Sequence, residues 1–379
     1  MINITAQENM IEDFKAFVND YIKPKAKDID INQSIDREII RMLGEKKYFG
    51  IRFPAEYGGL GADCMILGRI TEEVGKVCSS FRTLFTVHST LVGESILRFG
   101  TEEQKKCWLP LIASGEKIAA FALSEPKNGS DARGITCQYR KTENGYVISG
   151  NKKWISFAGI ADLFLVFAKS ENGAISTFIV ESDNPKIKTE EIKNLMGNRG
   201  SHMASIFFND VEIPSNALLG KEGAGFDFVA NYALDWGRYS IAWGGLAVAQ
   251  AALEEMTIYS GERYQFGEKI SEHQLIKGMI ADAAVKVNAA RLMCVEAAKL
   301  RMEKDEDYNI QATLAKYYTS KIACEVASDA IQILGAQGYC SEYPVERLFR
   351  DVKSLEIIEG TSQIQQLIIG KHIINSYLK

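Results

Sequence analysis

The chain has 379 residues, 46% of them hydrophobic and 25% charged; at about 150 residues per domain this predicts two to three domains with a sizeable core, and it excludes disorder over most of the length. The 44 Lys and Arg against 49 Asp and Glu leave a net charge of −5, which lacks the positive field that a nucleic-acid binder needs. No run of 18 apolar residues occurs and the start lacks the basic and apolar regions of a signal peptide, so no membrane contact is predicted and a cytoplasmic location is expected.

Residues 1–118 read as a helical domain. Met10, Phe14, Phe17, Val18 and Tyr21 recur at the helical period and form one apolar stripe, and Pro24 falls near its end. The segment FPAEYGGLGAD, with Pro54, Gly58, Gly59 and Gly61, marks a loop. Helical patterning resumes through LGRITEEVGK and from Thr83 to Phe99. Thr101, followed by Glu103 and Gln104, is read as a helix N-cap. The texture changes near Ile118, and residues 119–224 carry short β-type runs. Asn144-Gly145 and Asn172-Gly173 each separate two such runs, the strongest short hairpin signal. ASIFFNDVEI, residues 204–213, adds a strand, so a small antiparallel sheet or barrel is expected. Residues 225–379 are helical in long stretches. Leu275, Ile276, Met279, Ile280, Ala283 and Val287 keep a helical stripe, and residues 309–334 do the same, which predicts a bundle. The expected fold class is thus α+β and multidomain: helices, a β domain, then helices.

The seven cysteines are odd in number, spread out and without a CxxC; reduced thiols are expected. His88, His202, His273 and His372 lie far apart and no HExxH occurs, so no metal site is predicted. There is no nucleophile elbow, no P-loop and no GxGxxG after a strand. Two segments stand out. ALSEPKNGSDARGI, residues 122–135, sets Ser124, Asn128, Ser130 and Asp131 beside Gly129 in a turn that exposes backbone amides; it is either a polar turn or a binding turn. In IIEGTSQIQQLIIG, residues 357–370, Glu359 follows two isoleucines and Gly360 breaks the pattern before a new helix. Thr361 could cap that helix beside a solvated acid. Alternatively, Glu359 is held against apolar walls, which raises its pKa and suits it to act as a base.

Six blocks spread over almost the whole chain resemble the acyl-CoA dehydrogenase flavoproteins. They are ALSEPKNGSDARGI, GNKKWISFAGIADLFLVFA, FNDVEIPSNALLGKEGAGF, ERYQFGEKISEHQLI, QILGAQGYCSEYPVERLFRD and IIEGTSQIQ. The resemblance implies an N-terminal helical domain, a middle β-barrel domain and a C-terminal four-helix bundle, with FAD bound between the last two across a subunit interface. Leu123 and Ser124 would contact the flavin ring, and Gly129 and Ser130 would reach the pyrophosphate or the substrate's pantetheine. Trp154 and Ser156 would pack on the ring and donate near its reactive nitrogen. Ser124 and Ser156 replace the more usual Thr and keep the hydroxyl. Arg263 would pair with the pyrophosphate of a neighbouring subunit's cofactor, where a planar fork of donors suits phosphate. Phe266 and Gln274 would lie near the adenosine end, Gln332 and Gly335 would form another pyrophosphate turn, and Thr361 and Gln363 would lie near adenine or pyrophosphate. Such sharing implies a homodimer or homotetramer.

By the same resemblance Glu359 removes the α-proton of the acyl thioester while FAD accepts the β-hydride. One branch takes its base from the helix containing ALDWGR, but the matching position here is Gly237, which cannot serve. Asp235 and Arg238 match a pair that touches the pantetheine or adenosine end, and an i, i+3 salt bridge between them is the plain alternative. Trp236 and Trp243 are bulkier than usual, which would suggest a short acyl chain if they lie near the cleft. YSIAWGG also resembles a subgroup acting on carrier-protein-bound acyl groups in polyketide and peptide pathways, including those that make hydroxymalonyl or aminomalonyl units. The leading expectation is a dehydrogenase of a short-chain acyl-CoA, with electron-transferring flavoprotein among the implied partners. A dehydrogenase of acyl-carrier-protein substrates is the alternative, and a flavin-binding assembly factor without catalysis the remote one.

Overall fold

A computed structural model describes residues 4–378. Seven helices form the N-terminal part: α1 (Ile4–Phe17), α2 (Ala26–Asn32), α3 (Arg37–Glu45), α4 (Cys64–Val77), α5 (Ser79–Leu84), α6 (Glu94–Phe99) and α7 (Glu102–Ala113). The predicted stripe is buried at Phe14 and Phe17 of α1 and at Val18 in the wide turn that follows, while Tyr21 stays at the rim. Thr101 caps α7 as expected. Its hydroxyl accepts from Gln104 N at 3.2 Å, and the Gln104 side chain accepts from Thr101 N at 3.0 Å. Each half of this reciprocal pair satisfies a donor that the first helical turn leaves free. Wide π-type turns over Phe85–Gly93 join α5 to α6, so residues 79–96 form one fully buried rod.

The β part comprises β1 (Ala119–Ala122), β2 (Gln138–Lys141), β3 (Gly145–Ile155), β4 (Leu163–Lys169), β5 (Ile175–Glu181), β6 (Ile187–Glu191), β7 (Ala204–Pro214) and β8 (Leu218–Leu219). They make one sheet in the order β6-β7-β3-β2-β4-β5-β8, with β1 also on β4. Both Asn-Gly pairs lie between antiparallel neighbours, Lys141 facing Tyr146 and Lys169 facing Ile175. The sheet is mixed rather than purely antiparallel, because β1 and β2 run parallel to β4. Side-chain alternation reports which face is buried and carries no sign of strand direction. Strand β4 is apolar without alternation because both its faces are covered. Phe164, Val166 and Ala168 pack with Tyr139, Tyr146 and Phe178. Leu163, Leu165 and Phe167 pack toward the helices, against Val92, Ile96 and Leu109.

The C-terminal part holds α8 (Asn231–Glu262), α9 (Gln274–Glu303), α10 (Tyr308–Leu334), α11 (Val345–Val352) and α12 (Ser362–Tyr377). Between α8 and α9 a short hairpin pairs β9 (Tyr264–Gln265) with β10 (Glu268–Lys269). Residues 239–249 of α8 are buried on every side, because α8 lies between α4 and α10. The predicted stripe of α9 is buried at Ala283 and Val287, whereas Leu275 is exposed. No helix among the described residues is long and apolar enough to cross a membrane.

His88 sits inside the buried rod. Its Nε2 donates to Ile112 O at 2.9 Å and its Nδ1 accepts from Ala119 N at 3.0 Å, which requires the neutral ring. Burial pushes its pKa from 6.5 down to about 4. The unfolded chain therefore takes up a proton near pH 6.5 that the folded chain refuses until about pH 4. Stability should fall across that window, by roughly 3 kcal/mol in all from this group. Melting temperatures at pH 7 and pH 5 test it: His88→Gln, which keeps a donor and an acceptor, should show a smaller drop than the parent chain.

Candidate active site

Glu359 lies in the turn between α11 and α12, at a left-handed φ of +54°. Its neighbours fix that turn. Gly360 follows at φ +88°, and Thr361 caps α12 by accepting from Ile364 N at 3.3 Å. Buried Gln365 donates to the carbonyls of Glu359 (3.0 Å) and Gly360 (2.9 Å), and buried Lys316 of α10 donates to Gly360 O at 2.7 Å. The carboxylate is not a solvated acid: Oε2 is shielded from solvent and has no hydrogen-bond partner. Burial pushes its pKa up to about 7, against the pull of Arg238, Lys316 and Arg82. Glu359 as a whole is half-buried, and a shielded carboxylate oxygen without a partner costs free energy that a purely structural residue would not carry.

Gly237 of α8 makes room for this group. A Cβ there would stand 2.4 Å from Glu359 Oε2 and 2.6 Å from its Cδ. The position therefore holds the space into which the glutamate reaches, so a side chain at 237 and the present pose of Glu359 exclude each other.

The turn at residues 122–135 is tied to β3 by a buried ion pair that sequence reading missed. Lys152 Nζ contacts Glu125 Oε1 at 2.9 Å and donates to Leu123 O at 3.0 Å. Glu125 in turn accepts from Thr136 N and Cys137 N. The pair anchors the strand that carries Lys153 and Trp154. Trp154 is 51% exposed and held at φ +64°, a conformation uncommon for a residue with a side chain. Lys153 Nζ stands 4.9 Å from its ring centroid, and the rest of the exposed indole is where a planar ring could pack. Ser156, two residues on, and Ser124, whose carbonyl accepts from Lys153 N at 3.1 Å, are half-buried, Gly129 and Ser130 are exposed, and the Leu123 side chain is in the core.

The remaining predicted residues fall elsewhere. Arg263 ends α8, about 39 Å along the helix from Gly237 at 1.5 Å per residue. Phe266 is 97% exposed at the tip of the β9–β10 hairpin, and Gln274 is exposed at the start of α9. Gln332 and Gly335 are exposed at the end of α10, with Gly335 at φ 60°, ψ −135°, open to glycine alone. Thr361 and Gln363 lie at the start of α12, next to Glu359.

Three sequence expectations are corrected. Asp235 does not pair with Arg238; it is drawn into an ion pair with Arg301 at 2.7 Å. Trp236 is buried between the guanidinium groups of Arg52 and Arg301, 4.4 and 4.3 Å from its ring. Trp243 packs where Gly68 of α4 leaves space. Trp236, Tyr239 and Trp243 meet edge to face along one face of α8, and Gly237 opens a different face, so the tryptophans do not narrow the space at Glu359. Their bulk is helix packing and carries no argument for a short acyl chain or a carrier protein.

Comparison with known proteins places this arrangement. Residues 5–116, 120–211 and 223–374 match the family descriptions "Acyl-CoA dehydrogenase, N-terminal domain", "middle domain" and "C-terminal domain". A probable acyl-CoA dehydrogenase of Bacillus subtilis is 38% identical over 98% of this chain and 99% of its own. Butyryl-CoA dehydrogenase from Megasphaera elsdenii superposes with a TM-score of 0.94 at 32% identity, covering 99% of each chain. A chain from the structural work on the electron transferring flavoprotein of Acidaminococcus fermentans gives a TM-score of 0.94 at 37% identity, over 98% of this chain and 99% of that one. With sequence and fold alike matched from end to end, the chain belongs to the acyl-CoA dehydrogenase family.

Proposed function

We propose that this chain is an FAD-dependent α,β-dehydrogenase of short-chain acyl-CoA thioesters, with Glu359 as its base. The observation that carries the reading is the shielded, unpartnered Glu359 Oε2 in the space left by Gly237. A carboxyl with a pKa of about 7 is near the optimum for moving a proton at neutral pH. Glu359 takes the α-proton of the acyl group. The left-handed turn, held by Lys316 and Gln365, aims the carboxylate, whose Oε2 is shielded from solvent. FAD, when bound, supplies the acceptor for the β-hydride. The likeness to butyryl-CoA dehydrogenase supports a short acyl chain. The likeness to the Acidaminococcus chain supports electron-transferring flavoprotein as the electron acceptor.

The residues present fit the flavin. Trp154 is half exposed on a left-handed backbone, Ser156 follows two residues on, and the Ser124 carbonyl accepts from Lys153 N at 3.1 Å. Arg263, Phe266, Gln274, Gln332 and Gly335 are exposed on elements that lead away from Glu359. We assign them to the cofactor of a second copy, in a homodimer or homotetramer. Arg263→Ala should then lose flavin and loosen the assembly together. Flavin absorbance per chain, read across a gel-filtration peak, checks this; full flavin in an unchanged peak would remove the bridging role. The function itself is tested by anaerobic bleaching of the flavin absorbance with butyryl-CoA. Bleaching within seconds to minutes is the expected result. No bleaching by any acyl thioester, on CoA or on a carrier protein, would sink the proposal.

A further inference from the structure

Lys152 and Lys316 are both fully buried, and they differ in what holds them. Lys152 is paired with Glu125 at 2.9 Å. Lys316 of α10 has no carboxylate within ion-pair distance among the described residues, and its acceptor is a backbone carbonyl, Gly360 O at 2.7 Å. That leaves two of the three ammonium hydrogens over. A buried cation held by one carbonyl is costly, and a methionine would fill the path of the same stem without burying a charge. Packing alone does not account for this residue.

Small side chains bring it to the turn. Ala312, Ala315, Thr319 and Ala323 are buried on α10 and let it lie close to α8. A Cβ at Gly245 of α8 would stand 2.8 Å from Thr319 Oγ1. The long stem of Lys316 then carries its ammonium past this contact to Gly360. Gln365 of α12 donates to the same carbonyl at 2.9 Å, so donors from two helices fix that peptide.

The charged groups around Glu359 come from several elements. On α8, Arg238 acts on it, while Asp235 is tied to Arg301 at 2.7 Å. On α5, Arg82 acts on it from farther along α8: its Cδ would lie 2.7 Å from a Cβ at Gly244, and its guanidinium donates to the Thr83 and Thr86 hydroxyls. Gly244 is seven residues beyond Gly237 on the same face, roughly 10 Å. On α11 and the turn after it, Asp351 accepts from Asn198 N and Glu356 is tied to Lys353. Lys316 of α10 also acts on Glu359, and Glu359 is the acid that acts most strongly on Lys316, ahead of Glu356. Of these groups Lys316 both sends a charge to the carboxylate and holds the backbone that aims it. Burial lowers its pKa to about 8, so the ammonium is the main form at pH 7.

We propose that Lys316 is a positioning residue for the base: its ammonium pins the Glu359–Gly360 turn, and its charge keeps the carboxylate in the form that accepts a proton. This deepens the proposed function and rests on Glu359 as the base.

The test follows kcat/KM for butyryl-CoA from about pH 5.5 to about pH 9.5 in the flavin-loaded parent and its variants. Lys316→Met should move the acid limb to higher pH by about one pH unit or more, because it removes an opposite charge beside the carboxylate. The deficit against the parent should narrow toward high pH, since above its pKa of about 8 the parent's own Lys316 has lost its proton. Lys316→Gln, which loses the charge and keeps a donor, should move the limb the same way, and it serves as well if Lys316→Met folds poorly. Lys316→Arg, which keeps the charge, should leave the limb within about half a pH unit of the parent's. A purely structural lysine would lower the melting temperature and leave the limb where it is. A limb at the parent's pH in both Lys316→Met and Lys316→Gln overturns the proposal, as does one in Lys316→Arg that moves as far as theirs. Glu359→Gln tells the two readings apart: an acid limb that persists there overturns the base and this proposal with it, whereas its loss leaves the base in place whatever the lysine variants show.

Discussion

Glu359→Gln should retain flavin and bind acyl-CoA, and should lose about 10²–10⁴-fold or more in kcat/KM, the range that general-base catalysis supplies. The amide has the same size, so the slot against Gly237 still closes around it. What disappears is the basic oxygen. The parent enzyme gives a second reading of the same group. Burial lifts the Glu359 pKa to about 7, and only the ionised form accepts a proton. The value of kcat/KM should therefore fall about tenfold for each pH unit below 7 and level off above it. That limb should be absent in Glu359→Gln. Substrate bleaching of the variant's flavin at the parent rate would rule Glu359 out as the base.

Gly237→Ala should separate activity from stability. Replacing a helix-interior glycine by alanine ordinarily stabilises by about 0.5–1 kcal/mol. Here the new methyl would meet Glu359 Oε2 at 2.4 Å. The end of a flexible side chain yields more readily than a helix, so the fold survives and the carboxylate moves. A displacement of about 1 Å from the reacting atoms can cost about 10²-fold in rate. The expected result is an unchanged or slightly raised melting temperature with kcat/KM down by about that factor. Gly261→Ala, in the same helix with no atom within 4 Å of the new methyl, is the control and should keep its activity. Equal activity in both variants would show that the position of the carboxylate over Gly237 does not matter to the reaction.

The sequence by itself determined the order of structure along the chain: helices to Ala113, the sheet, and the long helices from Asn231 onward. Those features are written in local terms. Period-3.6 stripes, Asn-Gly turns and the Thr101 and Thr361 caps each depend on residues a few positions apart. Glu359 was legible for the same reason, as an acid between two isoleucines and a glycine, and its motif matched that of a known family. The parallel partners of β4 were not legible, because alternation has no direction. Nor were the surroundings of the base. Lys316 comes to the turn from a helix more than forty residues earlier, and Arg82 from one more than 270 residues earlier. Trp236 and Trp243 looked like cleft residues, but the register of α8 against α4 turned them into core. A helical period fixes which residues share a face and leaves open what that face meets. Packing between distant segments decided that Gly237 would face a carboxylate, that Gly244 would face a guanidinium, and that both charges would lie beside the same strip of helix.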